Sequence, residues 1–95
     1  MNQTNARTQK IPHTPGVYFF LGAQNEILYI GKATSLNGRI KSYFDSTLGE
    51  RRGVLIKKMV YEAKKIDWRT TDSVLEALLL ETNLIRTHKP RFNTF

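Results

Sequence analysis

The sequence predicts an α+β domain with the element order β-β-α-α-β-α. Three observations carry that prediction. Two short runs rich in aromatic and β-branched residues flank a four-residue turn. A long apolar-periodic segment near the C-terminus opens on capping residues and is stopped by Pro90. Between them lie two stretches with helical spacing and one with strand alternation.

In chain order, residues 1–13 are rich in Asn, Gln, Thr and Arg and read as a flexible tail anchored at Ile11-Pro12, leaving 14–95 as the one domain. Val17 to Leu21 and Ile27 to Ile30 read as a hairpin turned by Gly22-Ala23-Gln24-Asn25. A four-residue loop pairs Leu21 with Glu26 and sets Tyr18 opposite Tyr29, with both rings on one face. Val17, Phe19, Leu28 and Ile30 then share the other face, the better core candidate. Residues 35–44 read as a short helix, with Leu36, Ile40 and Phe44 in one stripe and Arg39 and Tyr43 in the next. Gly38 weakens that helix by about 1 kcal/mol relative to Ala. Residues 45–53, with Gly49 and Gly53, read as a loop, 54–64 as a helix and 66–70 as a third strand. Ser73 with Glu76 fits a capping box, and the last helix runs to about Lys89.

Composition limits the function. Fifteen Lys and Arg stand against eight Asp and Glu, a net charge of +7 in 95 residues. An anionic partner follows, nucleic acid first. A membrane surface fits less well, because the basic residues do not gather on one long amphipathic helix. The chain has no cysteine, which excludes a disulfide framework and a thiolate zinc site, and its two histidines, His13 and His88, have no companion at ligand spacing. There is no apolar run of transmembrane length and no signal peptide at the polar N-terminus, so the expectation is a soluble, cytoplasmic protein.

A few residues can carry chemistry. Glu81 is surrounded at helical spacing by Ala77, Leu78, Leu84 and Ile85, all apolar. A carboxylate there needs a metal, a cation or hydrogen bonds. Either a single-carboxylate Mg²⁺ site or a half-buried ion pair meets that need. Tyr18 and Tyr29 on one face beside Lys32 suggest a phenol whose proton is loosened by a nearby cation and which serves as a general base toward water. Each tyrosine taken alone reads as packing; the pair beside Lys32 is more telling. Lys32 and Arg39 together can hold a phosphate. Gly16 and Gly31 leave room for close approach. Asn93 reads either as a turn residue or as an amide tying the C-terminal segment to the site.

These residues form an ordered set. Gly16-Val17-Tyr18, Tyr29-Ile30-Gly31, Lys32, Arg39, Tyr43, the stretch EALLLETNLI with Glu81, and KPRFN with Asn93 resemble the GIY-YIG nuclease domain over about residues 14–93. The likeness is strongest to the N-terminal domain of the C subunit of the bacterial UvrABC excision nuclease. The resemblance implies a small three-stranded antiparallel sheet flanked by helices, hydrolysing a DNA phosphodiester with one divalent metal, Mg²⁺ or Mn²⁺. It implies that Tyr18 and Tyr29 are the motif tyrosines, with Tyr29 favoured as the one that activates water and Lys32 standing beside that phenol. Arg39 and Tyr43 would face the scissile phosphate, Glu81 would bind the metal, and Asn93 would organise the site. DNA and other repair proteins would be the partners. Gly38 stands where relatives commonly carry a basic residue, and Phe92 replaces a frequent tyrosine. A non-catalytic or partner-dependent nucleic-acid-binding module of the same fold, and a basic protein–protein adaptor, are the competing readings. The adaptor predicts that Tyr18, Lys32, Arg39 and Glu81 do not converge.

Overall fold

The computed structural model describes residues 10–93. Strands β1 (Gly16–Leu21), β2 (Ile27–Ala33) and β3 (Lys65–Thr70) form an antiparallel sheet in the order β2-β1-β3. β1 contains no charged residue and lies in the middle, with both its faces covered. Helices α1 (Leu36–Lys41), α2 (Leu48–Arg52) and α3 (Val54–Glu62) follow β2, and α4 (Val74–His88) follows β3. The expected order holds, with one short helix added.

The larger core lies on the tyrosine face, where Tyr18, Phe20 and Ile66 pack with Leu36 and Ile40 of α1, Leu48 of α2, and Ile56 and Met59 of α3. The opposite face packs Val17 and Ile30 against Ala77 of α4, with Phe19, Leu80 and Leu84 alongside. Both faces are therefore core, and the tyrosine face is the better filled, which reverses the expectation.

The hairpin register also differs. Tyr18 pairs with Gly31 and Phe20 with Tyr29, so the two tyrosines are not directly opposite. The loop spans five residues rather than four: Gly22 N–H donates to the Glu26 carbonyl at 2.7 Å, and Gln24 and Asn25 take positive φ. A second one-residue shift follows between Phe20 and Leu21. Two single shifts cancel in facing, because side chains alternate with period two. Tyr18 and Tyr29 thus still share a face, while Leu28, at the irregularity, turns to the tyrosine side instead of lying with Val17 and Phe19.

Helix α1 runs into a 3₁₀ turn at Ser42–Phe44 that carries Tyr43. Helix α2 stands where a loop was expected. Asp45 Oδ1 accepts from the Thr47 N–H and hydroxyl at 2.9 and 2.8 Å, and Leu48 is buried beneath the turn, so local bonds and one apolar anchor fold the segment. Gly53, at φ 90°, separates α2 from α3 in a conformation that favours glycine. At the start of α4, Ser73 Oγ accepts from Glu76 N–H at 3.1 Å, and Glu76 reaches back to Asp72 N–H at 3.3 Å, one residue beyond the Ser73 N–H that a reciprocal box would use. Lys89 ends α4 in the left-handed region, with Pro90 next.

The anchor at Ile11-Pro12 is present. Ile11 is buried, and Asn37 binds the Ile11 carbonyl through its side chain (3.0 Å) and the Pro12 carbonyl through its N–H (2.9 Å). Residues 1–9 of the expected tail lie outside the described residues. Among the described residues, no helix is long and apolar enough to cross a membrane.

Candidate active site

Three tyrosines meet on the face of the β1–β2 hairpin covered by α1, α2 and α3. Tyr18 comes from β1, Tyr29 from β2, and Tyr43 from the turn after α1. Their ring centroids lie 5.6 Å (Tyr18–Tyr43), 6.5 Å (Tyr18–Tyr29) and 6.5 Å (Tyr29–Tyr43) apart. The Tyr18 and Tyr43 hydroxyls are hydrogen-bonded at 2.5 Å. Gly31 makes this possible: a Cβ there would come within 2.3 Å of Tyr18 Cζ and Oη. The space expected at Gly31 is therefore filled by a ring. At Gly16 it is filled by backbone, with the Arg69 carbonyl 2.4 Å from where a Cβ would sit.

Two guanidinium groups hold the hydroxyls. Arg39 Nε donates to Tyr18 Oη at 3.4 Å and stacks near the Tyr43 ring at 5.9 Å, as their four-residue spacing in sequence suggests. Arg52 donates to Tyr43 Oη at 3.2 Å and lies over the same ring at 4.9 Å. Arg52 was missed in the sequence. It ends the short helix read as a loop, and the only available signal was its place in the basic pair Arg51-Arg52.

The expectation of a loosened phenol is reversed. Burial, then the neighbouring Tyr43, pushes Tyr29 up to about 12, with Arg52 and Arg39 pulling the other way. Burial also raises Tyr18 and Tyr43. Lys32 does not stand beside the Tyr29 phenol. It pairs across from Val17 and alternates with Gly31, so it projects from the α4 side of the sheet. There it lines a pocket of 530 Å³ with Arg39, Ser35, Gly38, Ser42 and Val74. Arg39 is the link, since it lines this pocket and also binds Tyr18.

Glu81 is half-buried on α4. It sits seven residues after Val74, two turns along one stripe and ~10 Å away by helix rise. Among the described residues, no hydrogen bond or ion pair reaches its carboxylate, so the half-buried ion pair is not found. An unpartnered carboxylate on an otherwise apolar stripe fits a hard divalent ion that keeps most of its waters. Among the described residues, no three His, Cys, Asp or Glu cluster at ligand distance.

Asn93 bonds to the β2 backbone. Its amide accepts from Ile30 N–H at 2.8 Å and donates to the Ile30 carbonyl at 2.9 Å, while Phe92 N–H donates to the Leu28 carbonyl at 3.1 Å. The C-terminal segment thus closes the outer edge of β2 beside Tyr29. Tyr18, Tyr29, Tyr43 and Arg39 form one cluster, Lys32 joins through the Arg39 pocket, and Glu81 lies along the helix that borders it.

A family model, the UvrC-like GIY-YIG domain, matches residues 14–94. The chain belongs to that family. UvrABC system protein C of Synechocystis sp. is 47% identical over 87 residues, which is 92% of this chain and 14% of the relative. The protein of the same name from Borrelia garinii subsp. bavariensis is 48% identical with the same coverage. The chain thus spans about a seventh of the length of these curated relatives. Among solved structures, the GIY-YIG N-terminal endonuclease domain of UvrC from Thermotoga maritima, bound to its catalytic magnesium, superposes with a TM-score of 0.83 at 28% identity, covering 99% of this chain and 100% of that one. A tyrosine-to-phenylalanine point mutant of that domain, also with its catalytic divalent cation, gives 0.84 at 27% identity over the whole of both chains. The GIY-YIG fold is therefore that of this chain: a three-stranded antiparallel sheet flanked by helices.

Proposed function

We propose that this chain is a divalent-metal-dependent DNA endonuclease domain that hydrolyses a phosphodiester in excision repair. The observation that carries the reading is the sharing of Arg39 between the tyrosine cluster and the Lys32 pocket. A phosphate in that pocket would meet two cations at once, and Arg39 would couple it to the hydrogen-bonded phenols. Tyr29, the least buried of the three rings, is the one that can meet water. At pH 8, a phenol with a pKa of about 12 is ionised in roughly one molecule in ten thousand. In the resting domain it therefore orients a water through its hydroxyl rather than acting as a standing base. Glu81 would hold the metal, Mg²⁺ or Mn²⁺, which polarises a phosphoryl oxygen and stabilises the leaving oxygen when bound. Asn93 acts as a positioning residue by fixing β2 at Ile30. The net charge of +7 supplies salt-dependent affinity for the DNA backbone. The partners are DNA and the other components of the UvrABC system for which the relatives are named, and the compartment is the cytoplasm. Residues 14–95 are the catalytic module under this reading, and 1–13 precede it.

The test is nicking of supercoiled plasmid in Mg²⁺ or Mn²⁺. Wild type should cut and Glu81→Gln should not, with both proteins folded. Equal cutting by the two would remove Glu81 from the site. Salt-sensitive DNA binding without cleavage by either would favour the non-catalytic module.

A further inference from the structure

We propose that the outward face of α4 pairs antiparallel with the same face of a second copy of this chain. The proposal is independent of the endonuclease reading. Helix α4 is apolar on two opposite sides. Ala77 is buried against Val17 and Ile30, with Leu80 and Leu84 alongside. On the outward side Leu75, Leu78 and Leu79 are 63%, 41% and 56% exposed. A surface helix carries one apolar stripe, whereas a helix that is apolar all round is covered on both sides. Spacing defines the seam. Leu75, Leu79, Thr82 and Arg86 follow one another at intervals of four, three and four residues, the alternation of a helix-pairing seam, and all four are exposed. The Thr82 hydroxyl donates to the Leu78 carbonyl at 3.0 Å, so covering Thr82 strands no donor.

Charge chooses the occupant. Asp72 and Arg86 each lie seven residues from Leu79, one on either side of it. Both are exposed, and among the described residues neither side chain has an ion-pair partner. An antiparallel pair centred on Leu79 sets the two Leu79 side chains together and Leu75 of each copy near Thr82 of the other. It also brings Asp72 of each copy to Arg86 of the other, at both ends of the seam. The pattern is self-complementary, as a two-fold interface requires. A nucleic acid does not suit this face, which offers leucines beside the acidic Asp72 and Glu76 where a phosphate backbone needs cations. Residues 1–9 carry Met1 as their one large apolar side chain, too little to cover three leucines. Glu81 follows Leu79 by two positions and so points nearly the opposite way around the helix, which keeps the seam apart from it. A single helix seam buries less than the roughly 800 Å² per partner of a standard interface, so the expected Kd is weak, on the order of 100 µM.

The experiment is sedimentation equilibrium of the whole chain. Between about 10 µM and about 1 mM the average mass should climb from one chain toward two. Leu79→Glu places two carboxylates face to face at the two-fold and should weaken association at least about a hundred-fold, and Leu79→Gln about ten-fold. Thermal melts of both dilute variants should match wild type, since Leu79 is exposed. The charge pair supplies a second test that leaves the leucines in place. Asp72→Lys and Arg86→Glu should each weaken self-association roughly five- to fifty-fold, and an equimolar mixture of the two should restore it, because opposite charges then meet at both ends. The mass of one chain persisting at the highest concentration would overturn the proposal. So would a dimer that Leu79→Glu leaves intact, or a mixture that associates no better than either charge variant alone. Mass does not read cleavage, so a failure of plasmid nicking touches the nuclease reading and not this one.

Discussion

Replacing Gly31 with alanine should disrupt the tyrosine cluster without removing any of its polar atoms. The new Cβ would sit 2.3 Å from Tyr18 Cζ and Oη. Tyr18 is 1% exposed and packed between Phe20 and Tyr43, so the ring has nowhere to retreat. Overpacking of this kind costs about 1–3 kcal/mol. Shifting the ring also breaks the 2.5 Å bond to Tyr43, a further loss of about 1 kcal/mol. Alanine returns some 0.4–1 kcal/mol by stiffening the unfolded chain. The net expectation is a destabilisation of about 2–3 kcal/mol, or a fall in Tm on the order of 10–20 °C for a domain of this size. Urea denaturation of wild type, Gly31→Ala, Tyr18→Leu and the double variant reads it. The double variant should be less destabilised than the sum of the singles, because the smaller side chain clears the Cβ. A Gly31→Ala variant as stable as wild type, or strict additivity in the cycle, would refute the assignment of Gly31 as the space for Tyr18.

Three further outcomes follow from the same geometry. Asn93→Ala removes both bonds to Ile30 and should cost about 2–3 kcal/mol, with faster amide exchange at Ile30; unchanged exchange there would show that the edge is closed by something else. Arg52→Ala should slow single-turnover cleavage about ten-fold, consistent with the value of a hydrogen bond from a charged group, while Arg52→Lys recovers little because the planar fork over Tyr43 is lost; wild-type rates in both variants would remove Arg52 from the site. The third concerns alkaline pH. Tyr29 keeps its proton in the folded state up to about 12, whereas the unfolded chain releases it near 10, so its contribution to stability is complete below pH 10 and is lost as pH rises toward 12. The full shift is worth at most about 2.7 kcal/mol, and partial exposure reduces it to about 1. Wild type should therefore lose about 1 kcal/mol more than Tyr29→Phe across that window, and parallel pH curves would contradict the burial of the phenol.

The parts of this protein that were legible in the sequence are those set by local spacing. Ser73 and Glu76 announced the start of α4, Pro90 its end, and Arg39 with Tyr43 shared a helix stripe before any fold was known. The ordered motifs named the family, and the comparison with Thermotoga UvrC bears out its fold. What failed were quantities set at a distance. The hairpin register depended on a five-residue loop and a second shift at Leu21, neither of which leaves a compositional mark. The face of Lys32 did not depend on that register, because a residue three positions after Tyr29 on one strand lies on the opposite side of the sheet. The raised phenol at Tyr29 came from burial under Tyr43 and its neighbours, a tertiary effect that a neighbouring lysine in sequence could not report. Arg52 stayed hidden because five residues of helix held by Asp45, Thr47 and Leu48 look like a loop.

Under the proposed function, Glu81 on α4 and the arginine-linked tyrosine cluster serve one metal-dependent centre. Paramagnetic broadening by Mn²⁺ on the isotopically labelled domain tests it most directly. A single centre should give the strongest loss of signal around Glu81, spreading to Lys32 and the Arg39 side of the pocket, and no such focus in Glu81→Gln. Broadening centred on Asp67, Asp72 or Glu76 instead, and unchanged by Glu81→Gln, would contradict it.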